Sequence, residues 1–137
     1  MELTEKERLM LVEKKEEILK LTKEILDSMN DPKQALEVKK KMTSILSLLS
    51  VIASYAESKN YNLDALEKFT TLIFLQMNIL RDHWTALHPW IEVFCNTVNN
   101  VRFNFTKREI KIRIPKIDFS IFRSDLSRRN AEKLKQS

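Results

Sequence analysis

The side chains best suited to chemistry lie close together in the sequence: Asp82, His83, His88, Glu92 and Cys95. Two histidines and a carboxylate are a common ligand set for transition metals. His83 and His88 are five residues apart, however, whereas side chains that share a helical face are three or four residues apart. We therefore expect a chance cluster near a helix end and predict no metal site.

The only cysteine of the chain, Cys95, follows Phe94 of an apolar stripe. A nucleophilic cysteine needs a base in reach and a lowered pKa, and no basic side chain lies within a helical turn of Cys95 in the sequence. The default interpretation is a buried, small apolar thiol. Among the carboxylates, Asp82 beside Arg81 and Trp84 comes nearest to an acid–base candidate. The sequence thus predicts a protein that is not an enzyme and holds no cofactor.

Composition narrows the classes of function further. None of the 137 residues is glycine, which argues against the glycine-rich loops that bind nucleotide phosphates. A single cysteine allows no internal disulfide. The chain starts with charged residues, and its most apolar run, residues 44–56, is too short to span a bilayer and is interrupted by serines. We expect a soluble intracellular protein.

The elements that would position these side chains are helices. The first is predicted over residues 2–29, opened by a capping box of Thr4 and Glu7. Two neighbouring stripes at heptad spacing predict the seams of helix packing. They consist of Leu11, Ile18 and Ile25, and of Val12, Leu19 and Leu26.

A second helix is predicted from Pro32 to about Lys59. Asn30 or Asp31 would cap it, and a proline at the first helical position sacrifices no hydrogen bond. Its second half is apolar nearly all round, with serines between the apolar residues. Such a helix is expected to be covered on more than one side, by the rest of the chain or by a second copy.

Asn62 is expected to cap a third helix, whose apolar stripe continues in phase across Pro89. Two outcomes remain open: one kinked helix, or a break at Pro89 that opens a fourth helix. A single helix of roughly 36 residues would be about 54 Å long and would overshoot the first helix. We favour the break, and with it an all-α fold: an antiparallel up-down four-helix bundle over residues 1–100.

The hydrophobic period of the sequence changes at Val101. We therefore expect residues 101–137 to form a short extended or β-like basic C-terminal segment. This segment would pack on the bundle or extend from it, within a single domain. Val101, Phe103 and Phe105 alternate with polar residues, as a half-buried strand does. This segment carries 11 basic and 4 acidic side chains, and therefore the whole basic excess of a chain with net charge +5.

The candidate interaction residues are two tryptophans and part of the basic segment: Trp84, Trp90, Lys111, Arg113, Arg128, Arg129 and Lys133. The tryptophans are either an exposed anchor or part of the core, and Trp84 is in phase with the core stripe. The basic side chains are either solvated and protective against edge-to-edge aggregation, or they bind nucleic acid, an acidic partner protein or anionic lipid.

A chain without glycine, rich in Lys, Glu and Ile, with heptad seams such as Leu11, Ile18 and Ile25, resembles the small uncharacterised helical-bundle proteins of viruses of hyperthermophilic archaea. It is also similar in plan to four-helix adhesion-type bundles that dock partner peptides. This resemblance concerns architecture over residues 2–101. It implies a protein–protein role, in virion assembly or host takeover, in the host cytoplasm.

Taken together, these features predict a non-enzymatic interaction or assembly module that acts as a homodimeric helical bundle, because the apolar surplus exceeds what one copy can bury. The alternative is a nucleic-acid-binding protein that uses residues 101–137.

Overall fold

The computed structural model describes residues 2–59 and 62–106, and every regular element in this part of the chain is helical. The prediction of an all-helical chain with four helices is confirmed for these residues. Short 3-10 helices, Pro32–Gln34 and Thr85–Leu87, precede the second and fourth helices. The four α-helices are α1 (Glu5–Asp27), α2 (Ala35–Ser58), α3 (Leu63–His83) and α4 (His88–Thr106).

Helix α1 begins with the predicted capping box. The Thr4 hydroxyl accepts a hydrogen bond from the Glu7 N–H at 3.1 Å, and the Glu7 carboxylate accepts one from the Thr4 N–H at 3.0 Å. After the helix ends at Asp27, Asn30 has a φ of 66°. Asparagine here takes the left-handed position that glycine usually fills after a helix, in a chain that has no glycine.

The predicted caps of the next two helices are also present. The Asp31 carboxylate accepts a hydrogen bond from the Lys33 N–H at 3.1 Å, and Pro32 opens the 3-10 turn that leads into α2. The Asn62 side chain accepts one from the Ala65 N–H at 3.2 Å. These side chains satisfy backbone donors that have no partner inside a helix.

The chain breaks between α3 and α4, as favoured above. Trp84 leaves the helical region with φ −119° and ψ 81°, and Pro89 lies in the first turn of α4, where its missing N–H costs no hydrogen bond. A proline usually keeps the preceding residue away from helical angles, but His88 has φ −49° and ψ −47°. Burial of Leu87 and Trp90 on either side overrides this local bias.

Residues 101–106 belong to α4, so the predicted strand is wrong for this stretch, and the helix continues past residue 100. Val101 and Phe105 are both buried and four residues apart, which is one helical turn, while Phe103 between them is exposed. Val101 and Phe105, four residues apart, fit both periods, and the helix already in progress decided between them. The rest of the predicted extended segment lies outside the described residues.

Contacts between helix ends show how the four helices meet. Glu7 pairs with Lys59 at 3.7 Å and Glu24 with Lys41 at 3.3 Å, so α1 and α2 run in opposite directions. The Nζ of Lys39 lies 3.8 Å above the ring of Trp90, which brings the starts of α2 and α4 together. Helix α3 packs most extensively on α4, and α1 contacts both α2 and α3.

One core lies between the four helices. Leu11, Ile18 and Ile25 of α1 enter it, as their heptad spacing predicts. Among the residues whose burial the structure describes, three threonines are also buried, and each donates its hydroxyl to the carbonyl four residues earlier, as in the 2.8 Å bond from Thr22 to Ile18. None of the helices within residues 2–59 and 62–106 is long and apolar enough to cross a membrane.

Candidate protein-interaction surface

The histidines are engaged with the backbone of α3. His83 Nδ1 donates to the Ile79 carbonyl at 2.7 Å, and His88 Nδ1 donates to the Arg81 carbonyl at 3.0 Å. His88 therefore binds the end of α3 and does not cap α4. Its Nε2 lies 3.5 Å from the Glu92 carboxylate. Among the described residues, no three side chains of the metal-binding types come together as a metal site would require.

Cys95 is a buried thiol, as its position beside Phe94 predicts. Burial raises the pKa of this thiol to about 11, since a thiolate would lose its hydration in the core. A thiol of this kind carries a proton at neutral pH and is a poor nucleophile.

Both tryptophans belong to the core. Trp84 is 3% exposed and Trp90 is 1% exposed, so neither is an exposed anchor in this chain, and the core interpretation replaces the anchor interpretation. The stem of Lys39 reaches over the Trp90 ring, which places a charged head at the edge of the core. The five basic candidates, Lys111, Arg113, Arg128, Arg129 and Lys133, lie outside the described residues.

The apolar surplus lies on other helices than the sequence predicts. Among the residues of the second half of α2 whose burial the structure describes, the exposed ones are serines, and the large apolar side chains are buried or half-buried. Of the two alternatives for this half of α2, cover by the rest of the chain agrees with this burial, so the apolar surplus does not lie here. Instead, six large apolar side chains of α1 and α3 are 40% to 57% exposed. We set apart Leu9 near the start of α1 and call the other five the α1–α3 apolar face: Val12, Leu19, Leu72, Leu75 and Ile79.

The contacts of α3 place its exposed residues on the side of α1. Phe74 follows the core residue Ile73, and Arg102 of α4 lies 5.6 Å from the Phe74 ring, so α4 covers this flank. Leu72 and Ile79 each precede a core residue and lie on the opposite flank. Because the other helix in extensive contact with α3 is α1, this flank borders α1.

The contacts of α1 lead to the same side of the molecule. Glu24 precedes the core residue Ile25 and pairs with α2, so α2 covers the preceding flank of α1. Val12 and Leu19 each follow a core residue and lie on the other flank, which borders α3. The exposed apolar residues of both helices thus line one side, along the contact between α1 and α3.

The opposite flank of α1 has a different character. Here α1 and α2 leave a shallow groove of about 380 Å³ with a mixed lining: Glu17, Leu21, Thr43, Ser44, Ser47 and Leu48. Hydroxyl groups and a carboxylate interrupt its apolar residues, so water covers it at little cost.

Sequence reasoning missed the outer residues of α3, although a signal was present. Leu72, Leu75 and Ile79 follow the spacing i, i+3, i+7 on their own, out of phase with the core stripe of the same helix. A helix with two separate apolar stripes has two covered faces or one unpartnered face. Leu72 and Leu75 are about half exposed in the folded chain, so α3 is a helix with one unpartnered apolar face.

Comparison with known proteins found no matching family model, no similar curated protein and no similar solved structure. A function for this chain must therefore be argued from the surface that it presents.

Proposed function

We propose that this chain is a non-enzymatic protein–protein interaction or assembly module that works as a homodimer. The observation that carries the proposal is the α1–α3 apolar face, five large side chains that are about half exposed on one side of the chain. Contiguous exposed apolar surface of this kind marks interaction sites in proteins that are otherwise well packed. Covering it contributes about 25 cal/mol for each Å² of apolar surface removed from water.

The architecture that we propose for each copy is an antiparallel up-down four-helix bundle. The ion pairs of Glu7 with Lys59 and Glu24 with Lys41 support opposite directions for α1 and α2. The short link of Trp84 to Leu87 supports the same for α3 and α4. Such a bundle presents long, rigid helix faces, which suits docking and repeated assembly better than chemistry.

The proposal needs no cofactor and no catalytic residue. It agrees with the resemblance to helical-bundle proteins of viruses of hyperthermophilic archaea, which implies a role in assembly or host takeover inside the host cell. A single buried thiol fits an intracellular compartment, where disulfides are rare.

The mass in solution tests the proposal. Light scattering after size exclusion, with the full chain at about 1 to 100 µM, is expected to give twice the mass of the 16.2 kDa chain at the upper end. The thermal midpoint is expected to fall on dilution, because the dimer stabilises the folded state by mass action. A monomer throughout, with a midpoint independent of concentration, would contradict the proposal.

A second candidate function rests on the charge of residues 101–137, where 11 basic side chains meet 4 acidic ones. Their lysines and arginines, including Lys111 and Arg113, would contact phosphates of a nucleic acid and release counterions. Affinity for duplex DNA is then expected to fall steeply with salt.

Charge variants distinguish this second function from nonspecific electrostatic binding. Changing Arg128, Arg129, Lys133 and Lys135 to Gln should lower the slope of log affinity against log salt by about one for each phosphate that the variant no longer neutralises. The matched control changes four lysines of the neutral amino-terminal part, Lys6, Lys20, Lys23 and Lys40, and should leave the slope unchanged. If both sets of substitutions lowered the slope equally, or if the wild-type chain did not bind duplex DNA, this second candidate function would be rejected.

A further inference from the structure

We propose that a second copy of this chain covers the α1–α3 apolar face, with the two α3 helices antiparallel and Leu75 on the two-fold axis. This inference rests on the homodimer of the proposed function and adds its interface and its symmetry. Leu75 is the most exposed of the five residues of the face, at 57%, and it lies at the centre of the outer stripe of α3.

The charged ends of the outer stripe of α3 are symmetric about Leu75, and its flanking apolar residues differ by one position in their distance from it. Leu72 comes three residues before it and Ile79 four residues after it, while Lys68 and Asp82 are seven residues away on either side. Residues at these spacings lie on one helical face. When two such helices run antiparallel with Leu75 opposite Leu75, each Leu72 meets an Ile79. The pattern is therefore complementary to itself, as a two-fold interface requires.

The charges at the ends of the stripe select the antiparallel direction. Lys68 and Asp82 are both exposed. Antiparallel docking brings each Lys68 near Asp82 of the other copy, whereas parallel docking would bring like charges together. Exposed ion pairs add little affinity, but repulsion between like charges suppresses the wrong orientation. The dipoles of two antiparallel α3 helices also oppose each other favourably.

Two neighbouring charges on α3 lie away from the outer stripe. Glu67 and Arg81 lie one heptad before and after Phe74, on the flank that α4 covers. The Arg81 guanidinium does approach the Asp82 carboxylate, but only to 3.9 Å, and the Asp82 side chain remains 69% exposed. Asp82 is therefore free to meet a lysine from outside. Among the described residues, Lys68 has no ion pair.

Helix α1 completes the surface. Because Val12 and Leu19 border α3 on the same side as Leu72 and Ile79, a helix docked on this side contacts both α1 and α3. The α3 helix of each copy would thus lie along the contact between α1 and α3 of the other. A stable interface buries about 800 Å² on each partner, so the five apolar side chains would form its centre and the charged ends of α3 its rim.

Substitution of the central residue is the first test, with sedimentation equilibrium of the full chain as the measurement. Leu75→Glu places two carboxylates against each other on the axis and is expected to raise the dimer dissociation constant at least about 100-fold. The matched control is Leu36→Glu on α2, a leucine that is 44% exposed outside the face, and it should leave the dissociation constant unchanged. Circular dichroism of both variants verifies that the helices remain folded.

Exchange of the rim charges tests the orientation. At about 10 mM salt, where screening is weak, Lys68→Glu alone and Asp82→Lys alone should each raise the dissociation constant about tenfold, because each creates two like-charge pairs. The double variant K68E/D82K should restore it. An equimolar mixture of the two single variants should also restore it, as a heterodimer. A parallel dimer would leave every homodimer of this series equally strong.

The outcomes separate this inference from the function on which it rests. A wild-type monomer overturns both. A wild-type dimer that is indifferent to Leu75→Glu overturns the interface and leaves the homodimer intact. A dimer that loses affinity with Leu75→Glu but is unaffected by the single charge variants overturns the antiparallel orientation. Intramolecular cross-links from Lys68 to Lys111 or Lys116 in a monomer would assign the face to the chain's own carboxy-terminal residues and overturn the proposal.

Discussion

Helices α1 and α4 contribute to the same core but differ in how much of each helix enters it. At least eight of the 19 residues of α4 are buried, against four of the 23 residues of α1. Thirteen residues of α1 carry a charge, and only Glu92 and Arg102 do so in α4. Helix α4 has the wider apolar stripe and packs mainly on α3, while α1 divides its fewer buried side chains between α2 and α3.

This difference shows that helices with similar hydrophobic periodicity are fixed in unlike ways. Helix α4 is fixed mainly by its stripe of large side chains against α3. Helix α1 has fewer buried side chains, and its edges carry the ion pairs with α2 and the exposed residues of the α1–α3 apolar face. We therefore expect α4 to govern global stability, and α1 to open locally at a lower free energy.

The largest contrast is expected from identical truncations in the two helices. Ile91 of α4 and Ile18 of α1 are both 0% exposed, and each would be changed to Ala. We expect Ile91→Ala to cost about 4 kcal/mol and Ile18→Ala about 2–3 kcal/mol. The surroundings of Ile91 are buried and cannot collapse into the cavity, whereas Leu19 beside Ile18 is free to move inward.

Urea denaturation of both variants at one protein concentration measures these costs. The fixed concentration matters because association would add to apparent stability. If Ile18→Ala cost as much as Ile91→Ala, α1 would be as firmly packed as α4, and the contrast would disappear.

The core of α4 contains a titrating group, and the core of α1 contains none. Because burial raises the pKa of the Cys95 thiol to about 11, the folded state keeps a proton that the unfolded chain releases near pH ~8.5. The contribution to stability is fully present below that pH and is lost as the pH rises towards 11. We expect a loss of about 2–3 kcal/mol over this interval.

A Cys95→Ala variant should lack this alkaline loss, although the deletion itself lowers stability at every pH. Unfolding free energies of the two proteins between neutral and alkaline pH give the difference directly, since lysines and tyrosines titrate equally in both. Parallel curves for the two proteins would show that the thiol keeps its ordinary pKa.

Much of this fold could be predicted from short stretches of the sequence. The capping box of Thr4 and Glu7, the cap at Asn62 and the break before Pro89 depend on neighbours within a few residues, and each was predicted. Local hydrogen bonds and steric limits decide such features, so the sequence alone contains them.

Which apolar side chains remain exposed on the outer surface could not be predicted in this way. Val12 and Leu11 belong to two stripes with the same spacing, but one is 48% exposed and the other 1%. Which stripe is covered depends on where the other helices lie, and no local rule contains that information. The face on α1 and α3 was missed for this reason, and Val101 to Phe105 were assigned to a strand because Val101 and Phe105, four residues apart, fit either period.

A smaller contrast concerns the end of α1 and the interior of α4. Asn30 has a left-handed backbone that glycine adopts without steric cost, while Asn100 is exposed within α4. Asn30→Gly should stabilise the protein by about 0.5 kcal/mol, and Asn100→Gly should destabilise it by about the same amount. Thermal midpoints that shift in opposite directions would agree with this expectation, and a fall in both would contradict it.

The smallest effect is expected at the start of α1. The pKa of Glu7 is lowered, first by the hydrogen bond from the Thr4 N–H and also by the nearby charge of Lys59. The unfolded chain therefore binds a proton more readily than the folded chain. The stabilisation from Glu7 is present above the unfolded pKa and is lost as the pH falls through the lower folded value.

Hydrogen exchange at decreasing pH should show this loss in the amides of α1 and not in those of α4, after correction for intrinsic exchange. Glu7→Gln retains the capping hydrogen bonds but cannot titrate, so it should remove the acid dependence of α1 protection. Glu16→Gln, an exposed change in the middle of the same helix, is the control and should retain it. Equal acid sensitivity of α1 and α4 in all three proteins would mean that the two helices open together, and that the ion pairs along α1 fix it as firmly as packing fixes α4.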